Sequence, residues 1–291
     1  MAVAYELLRD FSIPVIAHRY VEKDVMLYAL GLGLGGDPLN EDQLGFVYEK
    51  DLKVLPTFGG VLGYPGFWPK AHPELGITWQ RLLNGEQGIE IHRPFPPSGE
   101  VVGSMTIERI VDKGVGKGML IYTRRDVRDQ ASGDLLCTVS NTMFCRADGG
   151  FGGPTAPGPA AAAIPDRASD QTIDWPTLPQ AALIYRLSGD FNPLHAEPAV
   201  ARQGGFDRPI LHGAATWGIA GCALLQALCG GDPARFRSYQ ARFTSPVYPG
   251  ETLRVEVWLG APGHASFRVA VPARGVTVLD NGVFSYQTES P

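Results

Sequence analysis

The sequence has no hydrophobic run long enough to cross a membrane. Its most apolar run, residues 214–229, is 16 residues long and contains Thr216 and Gln226, whereas a transmembrane helix needs about 20 apolar residues. The chain opens without the basic and then apolar segments of a signal peptide. Its last residues, Glu289-Ser290-Pro291, do not form a peroxisomal targeting tripeptide. These absences predict a cytoplasmic protein without a membrane partner.

Cysteine is scarce, and neither sign of charge is in large excess. The chain has 25 basic and 30 acidic residues, for a net charge of −5, and no stripe of interleaved basic and aromatic residues. Nucleic acid is therefore not an expected partner, although a local basic rim could still bind an anionic ligand. The four cysteines show no Cys-x-x-Cys spacing, so we expect reduced, buried thiols at Cys137, Cys145, Cys222 and Cys229.

What remains is the composition of an ordinary globular protein. A chain of 291 residues with 44% hydrophobic and 19% charged residues suggests about two domains. Helical periodicity predicts helices over residues 22–30 and 214–229. Alternating and β-rich segments predict strands near residues 89–93, 100–110, 119–128, 135–144, 237–244, 251–259, 266–271 and 275–286.

The segment Asp190-Phe191-Asn192-Pro193-Leu194-His195 carries a carboxylate, a carboxamide and an imidazole in six residues. Pro193 fixes its own φ and favours an extended Asn192, so the segment is predicted to be a rigid turn. Aspartate and histidine, with ordinary pKa values of roughly 4 and 6.5, are the usual groups for proton transfer. By itself such a pair is more often a helix cap and a loop histidine.

A longer pattern favours catalysis. The run Tyr185-Arg186-Leu187-Ser188-Gly189-Asp190 leads into this turn, and Pro209-Ile210-Leu211-His212-Gly213 follows it. Together they resemble the hydratase motif of the MaoC-like, (R)-specific enoyl-CoA hydratases, in particular the hydratase domain of peroxisomal multifunctional β-oxidation enzymes. The resemblance extends over nearly the whole chain through less specific matches at residues 28–31, 55–58, 85–87, 112–114, 150–153 and 241–250.

The resemblance implies an α+β double hot-dog fold, with two antiparallel sheets each wrapped round a long central helix and joined into one sheet. It also implies a reversible syn addition of water to a trans-2-enoyl-CoA, which gives the (3R)-3-hydroxyacyl-CoA. The acyl-CoA is then the small-molecule partner, no further cofactor is needed, and a homodimer is expected.

The resemblance also implies roles within the motif. Asp190 and His195 would hold the attacking water, with Asn192 as a third hydrogen-bond partner; which of the pair is the base stays open, because coupled groups titrate together. The backbone N–H near Gly213 would stabilise the thioester oxyanion at a helix N-terminus. His212 would only flank the helix.

Acyl-CoA contacts are implied at four further positions: Asn84, Gly85, Lys113 and Phe243. Lys113 would pair with a CoA phosphate. Two positions depart from the family pattern, since relatives usually have His at the position of Asn84 and Asp at the position of Glu197.

The two halves of the sequence resemble one another. Leu27-Tyr28-Ala29-Leu30 parallels Ile184-Tyr185-Arg186-Leu187, and Pro38-Leu39-Asn40 parallels Pro193-Leu194-His195. In this alignment Gly33 lies opposite Asp190, and Asn40 lies opposite His195. We therefore predict a non-catalytic unit over residues 1–148 that accommodates the acyl tail, a Gly/Pro/Ala-rich linker over residues 149–170, and a catalytic unit over residues 171–291.

Other interpretations are weaker. The Gly-x-Gly-x-x-Gly pattern at residues 31–36 follows a predicted helix rather than a strand, so a tight turn is favoured over a dinucleotide site. A hot-dog thioesterase would need a carboxylate early in the central helix, and residues 214–219 offer none. A non-catalytic acyl-CoA binder would not need the proton-transfer pair. His195 and His212 have no third ligand at a recognisable spacing, so no metal is expected.

Overall fold

The computed structural model describes residues 3–156, 158 and 160–288. The predicted absence of a C-terminal targeting tripeptide concerns residues 289–291, which lie outside this part of the chain. The helices are α1 (Tyr5–Arg9), α2 (Glu22–Gly31), α3 (Glu41–Leu44), α4 (Trp68–Ala71), α5 (Ala181–Tyr185), α6 (Pro198–Gln203) and α7 (Gly213–Cys229). The strands are β1 (Ile16–Tyr20), β2 (Leu82–Ile91), β3 (Gly99–Asp112), β4 (Met119–Asp129), β5 (Leu135–Cys145), β6 (Gln171–Pro176), β7 (Phe236–Phe243), β8 (Thr252–Leu259), β9 (His264–Val271) and β10 (Val276–Tyr286).

These ten strands form one antiparallel sheet, in the order β1-β3-β4-β5-β2-β7-β10-β9-β8-β6. The second half of this order repeats the first half in reverse, so every strand of β1–β5 has a counterpart among β6–β10. The halves join where β2 pairs with β7, from Glu86 opposite Arg242 to Glu90 opposite Ser238. Arg242 donates from Nε and Nη2 to Oε1 of Glu86 at 2.9 and 2.6 Å. The topology confirms the predicted repeat and the double hot-dog fold.

The long helix α7 packs against the C-terminal half of the sheet and into the centre of the core. Thirteen of its 17 residues are buried, because small and apolar side chains occupy nearly every face and leave no polar stripe for solvent. Trp217 donates from its indole nitrogen to the Gln87 carbonyl at 3.1 Å, and the Tyr239 hydroxyl donates to the Trp217 carbonyl at 2.7 Å. The helix is thus fixed to β2 and β7 at once, where the two halves meet.

The N-terminal half departs from the expected fold in one respect. Its described residues contain no long central helix, and a five-residue 3-10 helix, Pro56–Gly60, lies over β2 and β5 instead. Pro56 can begin a helix, but Gly59 and Gly60 disfavour its continuation. Gly59 is also wedged in place, since a Cβ there would lie 2.8 Å from both Cys137 Sγ and Ile89 Cδ1. The expectation of a long helix in each half is therefore wrong for this half.

The glycine-rich segment after α2 is a turn, as predicted. Gly33 and Gly35 have φ values of +89° and +76°, and the element before them is a helix rather than a strand. Between Cys145 and Gln171 the described residues form no helix or strand. No helix in the described part of the chain is long and apolar enough to span a bilayer.

Candidate active site

The Asp190–His195 segment is a tightly bonded turn, as predicted from Pro193. Gly189 precedes it with a φ of +114°. Asp190 Oδ1 accepts from the Asn192 N–H at 3.1 Å, and Asn192 Oδ1 accepts from the Leu194 N–H at 3.1 Å. Asn192 thereby caps the short 3-10 helix Pro193–His195. The cap uses the oxygen of the carboxamide, and the amino group is left to donate to a ligand.

His195 is held in one tautomer. Its Nδ1 lies 2.9 Å from the Ile210 carbonyl oxygen, and since a carbonyl can only accept, Nδ1 carries the proton. His195 is 8% exposed, and burial lowers its pKa in spite of the nearby Asp190 carboxylate. The imidazole is therefore neutral at pH 7, with an unshared electron pair on Nε2. That nitrogen can accept a proton.

His212 contacts both members of the predicted pair. Its Nε2 donates to the backbone carbonyl of Asp190 at 3.1 Å. Its ring stacks on that of His195, with centroids 3.8 Å apart and planes 29° from parallel. Burial, and next the neighbouring His195, lower the pKa of His212 to about 4. The sequence predicts only a flanking position for His212, because its contacts come from chain segments that no local spacing relates.

Asp190, His195 and His212 place ligand-type atoms within 4.8 Å of one another, a cluster that their sequence spacing did not reveal. A zinc site needs electron pairs that converge on one point. The His195 and His212 rings are stacked, with their planes 29° from parallel. Each ring also spends one nitrogen on a backbone carbonyl. The arrangement suits proton transfer better than metal binding.

Gly213 begins α7 directly after His212, and two predicted substrate contacts lie beside it. A Cβ on Gly213 would lie 3.3 Å from the Phe243 ring and 3.6 Å from Asn84 Nδ2. Glycine thus leaves open a gap between an aromatic ring and a carboxamide. The N-terminus of a helix presents unpaired N–H groups and the positive end of the helix dipole, so an anionic oxygen in this gap would be stabilised.

Gly85 allows Asn84 to reach this position. The pairing of β2 with β5 shifts register between Asn84 and Glu86, which is a β-bulge, and bulges redirect side chains. A Cβ on Gly85 would lie 3.1 Å from the Thr142 carbonyl oxygen. Gly85 therefore forms the bend of the strand, and its predicted contact with acyl-CoA stays a prediction.

Lys113 is not joined to this cluster by any contact that the described residues show. Its Nζ lies 4.8 Å from the centre of the Phe144 ring. Phe144 is adjacent to Met143, the β5 partner of Asn84. Because neighbours along a strand point to opposite faces, Phe144 and Asn84 lie on different faces of the sheet. A shared role in binding acyl-CoA remains a prediction.

The N-terminal half approaches the Asp190–His195 turn through Tyr64, a residue for which the sequence holds no functional signal. The guanidinium of buried Arg125 lies 5.3 Å from the centre of the Tyr64 ring and donates to the carbonyls of Gly59 and Gly60 at 3.2 and 2.6 Å. Although Tyr64 is 42% exposed, partial burial and next the charge of Asp190 raise the pKa of its hydroxyl. Tyr64 therefore lies close enough to the Asp190 turn to be affected by its charge.

The fold and the site together define a class: double hot-dog proteins with an Asp/His turn beside the N-terminus of the central helix. Comparison with known families agrees. Residues 18–147 match the MFE-2 hydratase 2 N-terminal domain, and residues 160–280 match the MaoC-like domain. The chain belongs to the MaoC-like dehydratase family.

Relatives match the chain along most of its length. It is 43% identical over 278 residues to 3-hydroxyacyl-thioester dehydratase Y of Mycobacterium tuberculosis, covering 92% of this chain and 93% of the relative. It is 37% identical over 297 residues to the peroxisomal enoyl-CoA hydratase 2 of Arabidopsis thaliana, covering 94% and 93%. A solved MaoC-like dehydratase from Phytophthora capsici superposes with a TM-score of 0.87 at 33% identity, covering 99% and 100%.

Proposed function

We propose that this protein is an (R)-specific enoyl-CoA hydratase, which adds water reversibly to a trans-2-enoyl-CoA and gives the (3R)-3-hydroxyacyl-CoA. One observation carries the proposal. The turn that contains Asp190 holds a neutral His195 whose Nδ1 is bonded to the Ile210 carbonyl, beside the helix terminus at Gly213. An acid-base pair next to an oxyanion-binding terminus is what hydration of an unsaturated thioester requires.

In this proposal one water is held between the Asp190 carboxylate and Nε2 of His195, with the amino group of Asn192 as a third partner. As the water oxygen bonds to C3, one of the pair takes its proton, and the electrons of the C2–C3 double bond move toward the thioester oxygen. The resulting enolate then receives a proton at C2 from the same face. Because a single turn supplies both groups, addition is syn.

The thioester oxygen would lie in the gap at Gly213, where it accepts from the backbone N–H. Asn84 Nδ2, 3.6 Å from the place of a Gly213 Cβ, is positioned to be a second donor, and the Phe243 ring would cover the acyl group. One well-placed donor of this kind contributes about 10²–10³ in rate. The chemistry needs no further cofactor, since the CoA thioester is itself the activated group.

We also propose the division of labour suggested by the repeat. Residues 171–291 would carry proton transfer, residues 149–170 would link the halves, and residues 1–148 would accommodate the acyl tail. The short helix Pro56–Gly60, which stands where a hot-dog unit has its long helix, supports the last role. Lys113 would bind a CoA phosphate at the surface.

A homodimer is proposed from exposed apolar side chains on neighbouring helices. Leu30 of α2, Leu183 of α5 and Leu187, which follows α5, are all exposed. The two helices are in contact at Gly31, where a Cβ would lie 3.2 Å from Tyr185 Cα. A second copy of the chain would cover this surface. We further propose a cytoplasmic location without a membrane partner, which the four free, buried cysteines support.

The proposal is tested with crotonyl-CoA and a long-chain trans-2-enoyl-CoA. Loss of the enoyl-thioester absorbance band gives the rate, chiral analysis identifies the product, and a thiol reagent follows any release of free CoA. We expect the (3R)-hydroxyacyl-CoA from both substrates without free CoA, and a much slower reaction for Asp190→Asn. Release of free CoA would instead identify a thioesterase, although the first turn of α7 contains no acidic residue. A (3S) product would also contradict the proposal.

A further inference from the structure

His212 has no place in the proton-transfer steps, yet it contacts both members of the pair. We infer, resting on the proposed hydratase function, that His212 is a positioning residue: its ring fixes the Asp190 backbone from one side and supports the His195 ring from the other. It would act on the rate through these two residues and make no contact with substrate.

The Asp190 peptide depends on this contact. Gly189, immediately before it, has a left-handed φ of +114° and open space around the position of a Cβ. Asp190 itself is exposed. Its carboxylate accepts from the Asn192 N–H, and its carbonyl accepts from His212 Nε2 at 3.1 Å. The second bond ties this exposed turn to the buried segment before α7, and without it the carboxylate would swing with its peptide.

The His195 ring depends on the same segment. The Ile210 carbonyl holds its Nδ1 at 2.9 Å, and the His212 ring covers one face at 3.8 Å between centroids. Ile210 and His212 are the first and third of the three residues before Gly213. One short segment therefore orients both proton-transfer groups and opens the helix whose N-terminus would hold the oxyanion. A displacement of about 1 Å in such a site can cost 10²-fold in rate.

His212 is itself rigid and enclosed. The residue is 1% exposed. The centre of the Tyr185 ring lies 5.1 Å from the centre of the His212 ring. Thr216 Oγ1 donates to the His212 carbonyl at 3.4 Å. Among the residues that the structure describes, Nδ1 has no hydrogen-bond partner. Among the described residues, the hydrogen bond from Nε2 to the Asp190 carbonyl is thus the one polar contact of the ring. The surroundings of residue 212 therefore require an N–H donor at the ε position.

Three variants separate the N–H donor from the ring. His212→Gln keeps an N–H donor near the ε position without the ring. His212→Asn places its donor near the δ position, which is too short for the Asp190 carbonyl, and His212→Phe keeps a stacking ring without a donor. We expect Asn and Phe to lower kcat for crotonyl-CoA hydration by at least about 10-fold, with KM within about 3-fold of wild type. Gln keeps the donor but loses the ring that covers His195, so it should lose about 3- to 10-fold in kcat, less than Asn or Phe.

Melting curves are measured together with the kinetics. Three other outcomes would contradict the inference. Phe activity equal to that of Gln would show that the hydrogen bond has no role. A parallel rise of KM in the Asn and Phe variants would make His212 a substrate contact. Equal loss in all three variants, in step with a lower Tm, would reduce it to a packing residue. If the His212→Phe variant does not fold, the comparison of His212→Asn with His212→Gln still tests the role of the hydrogen bond. An inactive wild type would instead overturn the proposed function.

Discussion

His195 and His212 have identical side chains, but their hydrogen-bond partners leave a different ring nitrogen available in each. Each sets one ring nitrogen against a backbone carbonyl, which fixes the tautomer. In His195 the bonded nitrogen is Nδ1, so Nε2 is left for a ligand. In His212 it is Nε2, and the remaining Nδ1 is enclosed by protein. The sequence predicts the first role through the motif, but it holds no signal for the second, which depends on where Asp190 lies in space.

Gly213 gives a prediction at the same scale. The Gly213→Ala variant should fold normally, because alanine is favourable in a helix and the φ of Gly213 is not in the left-handed region. Its methyl group would lie 3.3 Å from the Phe243 ring and 3.6 Å from Asn84 Nδ2, and it would narrow the approach to the N–H. We expect kcat/KM for crotonyl-CoA to fall by at least about 10-fold.

The control is Ala214→Gly, which loosens the same turn without adding an atom beside the N–H. Ala214→Gly should keep most of the kcat/KM if activity depends on the open gap at Gly213 rather than on the rigidity of the turn. A Gly213→Ala variant with wild-type kcat/KM would place the thioester elsewhere.

Among the elements, long and regular segments were predictable and interrupted ones were not. The helix α7 and the strands β3, β4 and β5 lie within about two residues of their predicted bounds. The first half of β2 was missed, because Gly85 and the bulge break its alternation. The edge strand β6 was missed as well. The short helix Pro56–Gly60 could not be predicted, because a family resemblance indicates the common fold and not the places where one chain departs from it.

The loop after β3 shows an element held together by one carboxylate. Asp112 accepts from the backbone N–H groups of Gly114, Gly150 and Gly152 at 2.9, 2.7 and 2.9 Å. These bonds, with that of Gly150 the strongest, lower the pKa of Asp112. The loop that presents Lys113 is thereby fixed to the start of the Gly-rich linker.

Lys113→Ala should therefore raise KM for enoyl-CoA and leave kcat nearly unchanged, as expected when a uniform binding contact is lost. The effect should shrink as salt is raised, because it is a charge contact. Lys117→Ala is the matched control, since Lys117 is an exposed lysine of the same loop. KM is measured for all three proteins at low and high salt. Equal effects of the two variants would mean that only the general surface charge matters.

At the scale of the molecule, the repeat gives each half an equivalent turn, and only the C-terminal turn carries an aspartate and a histidine at the aligned positions. Gly33, opposite Asp190, has a φ of +89° and no side chain. Asn40, opposite His195, accepts from the Gln43 N–H at 3.2 Å and caps α3. The sequence alignment predicts that the N-terminal turn takes no part in proton transfer, and the structure adds that Asn40 caps a helix. The interaction of Tyr64 with Asp190 depends on packing between the halves, and no repeat alignment could show it.

The most direct test of this account is kcat for crotonyl-CoA hydration in Asp190→Asn, His195→Gln and Asn40→Ala, each checked by its melting curve. We predict that the first two lose at least about 10²-fold with little change in Tm. Asn40→Ala should lose about 1 kcal/mol of stability through its helix cap and keep kcat within a few-fold of wild type. Near-normal turnover in either of the first two variants, or a loss in a folded Asn40→Ala as large as theirs, would contradict the account.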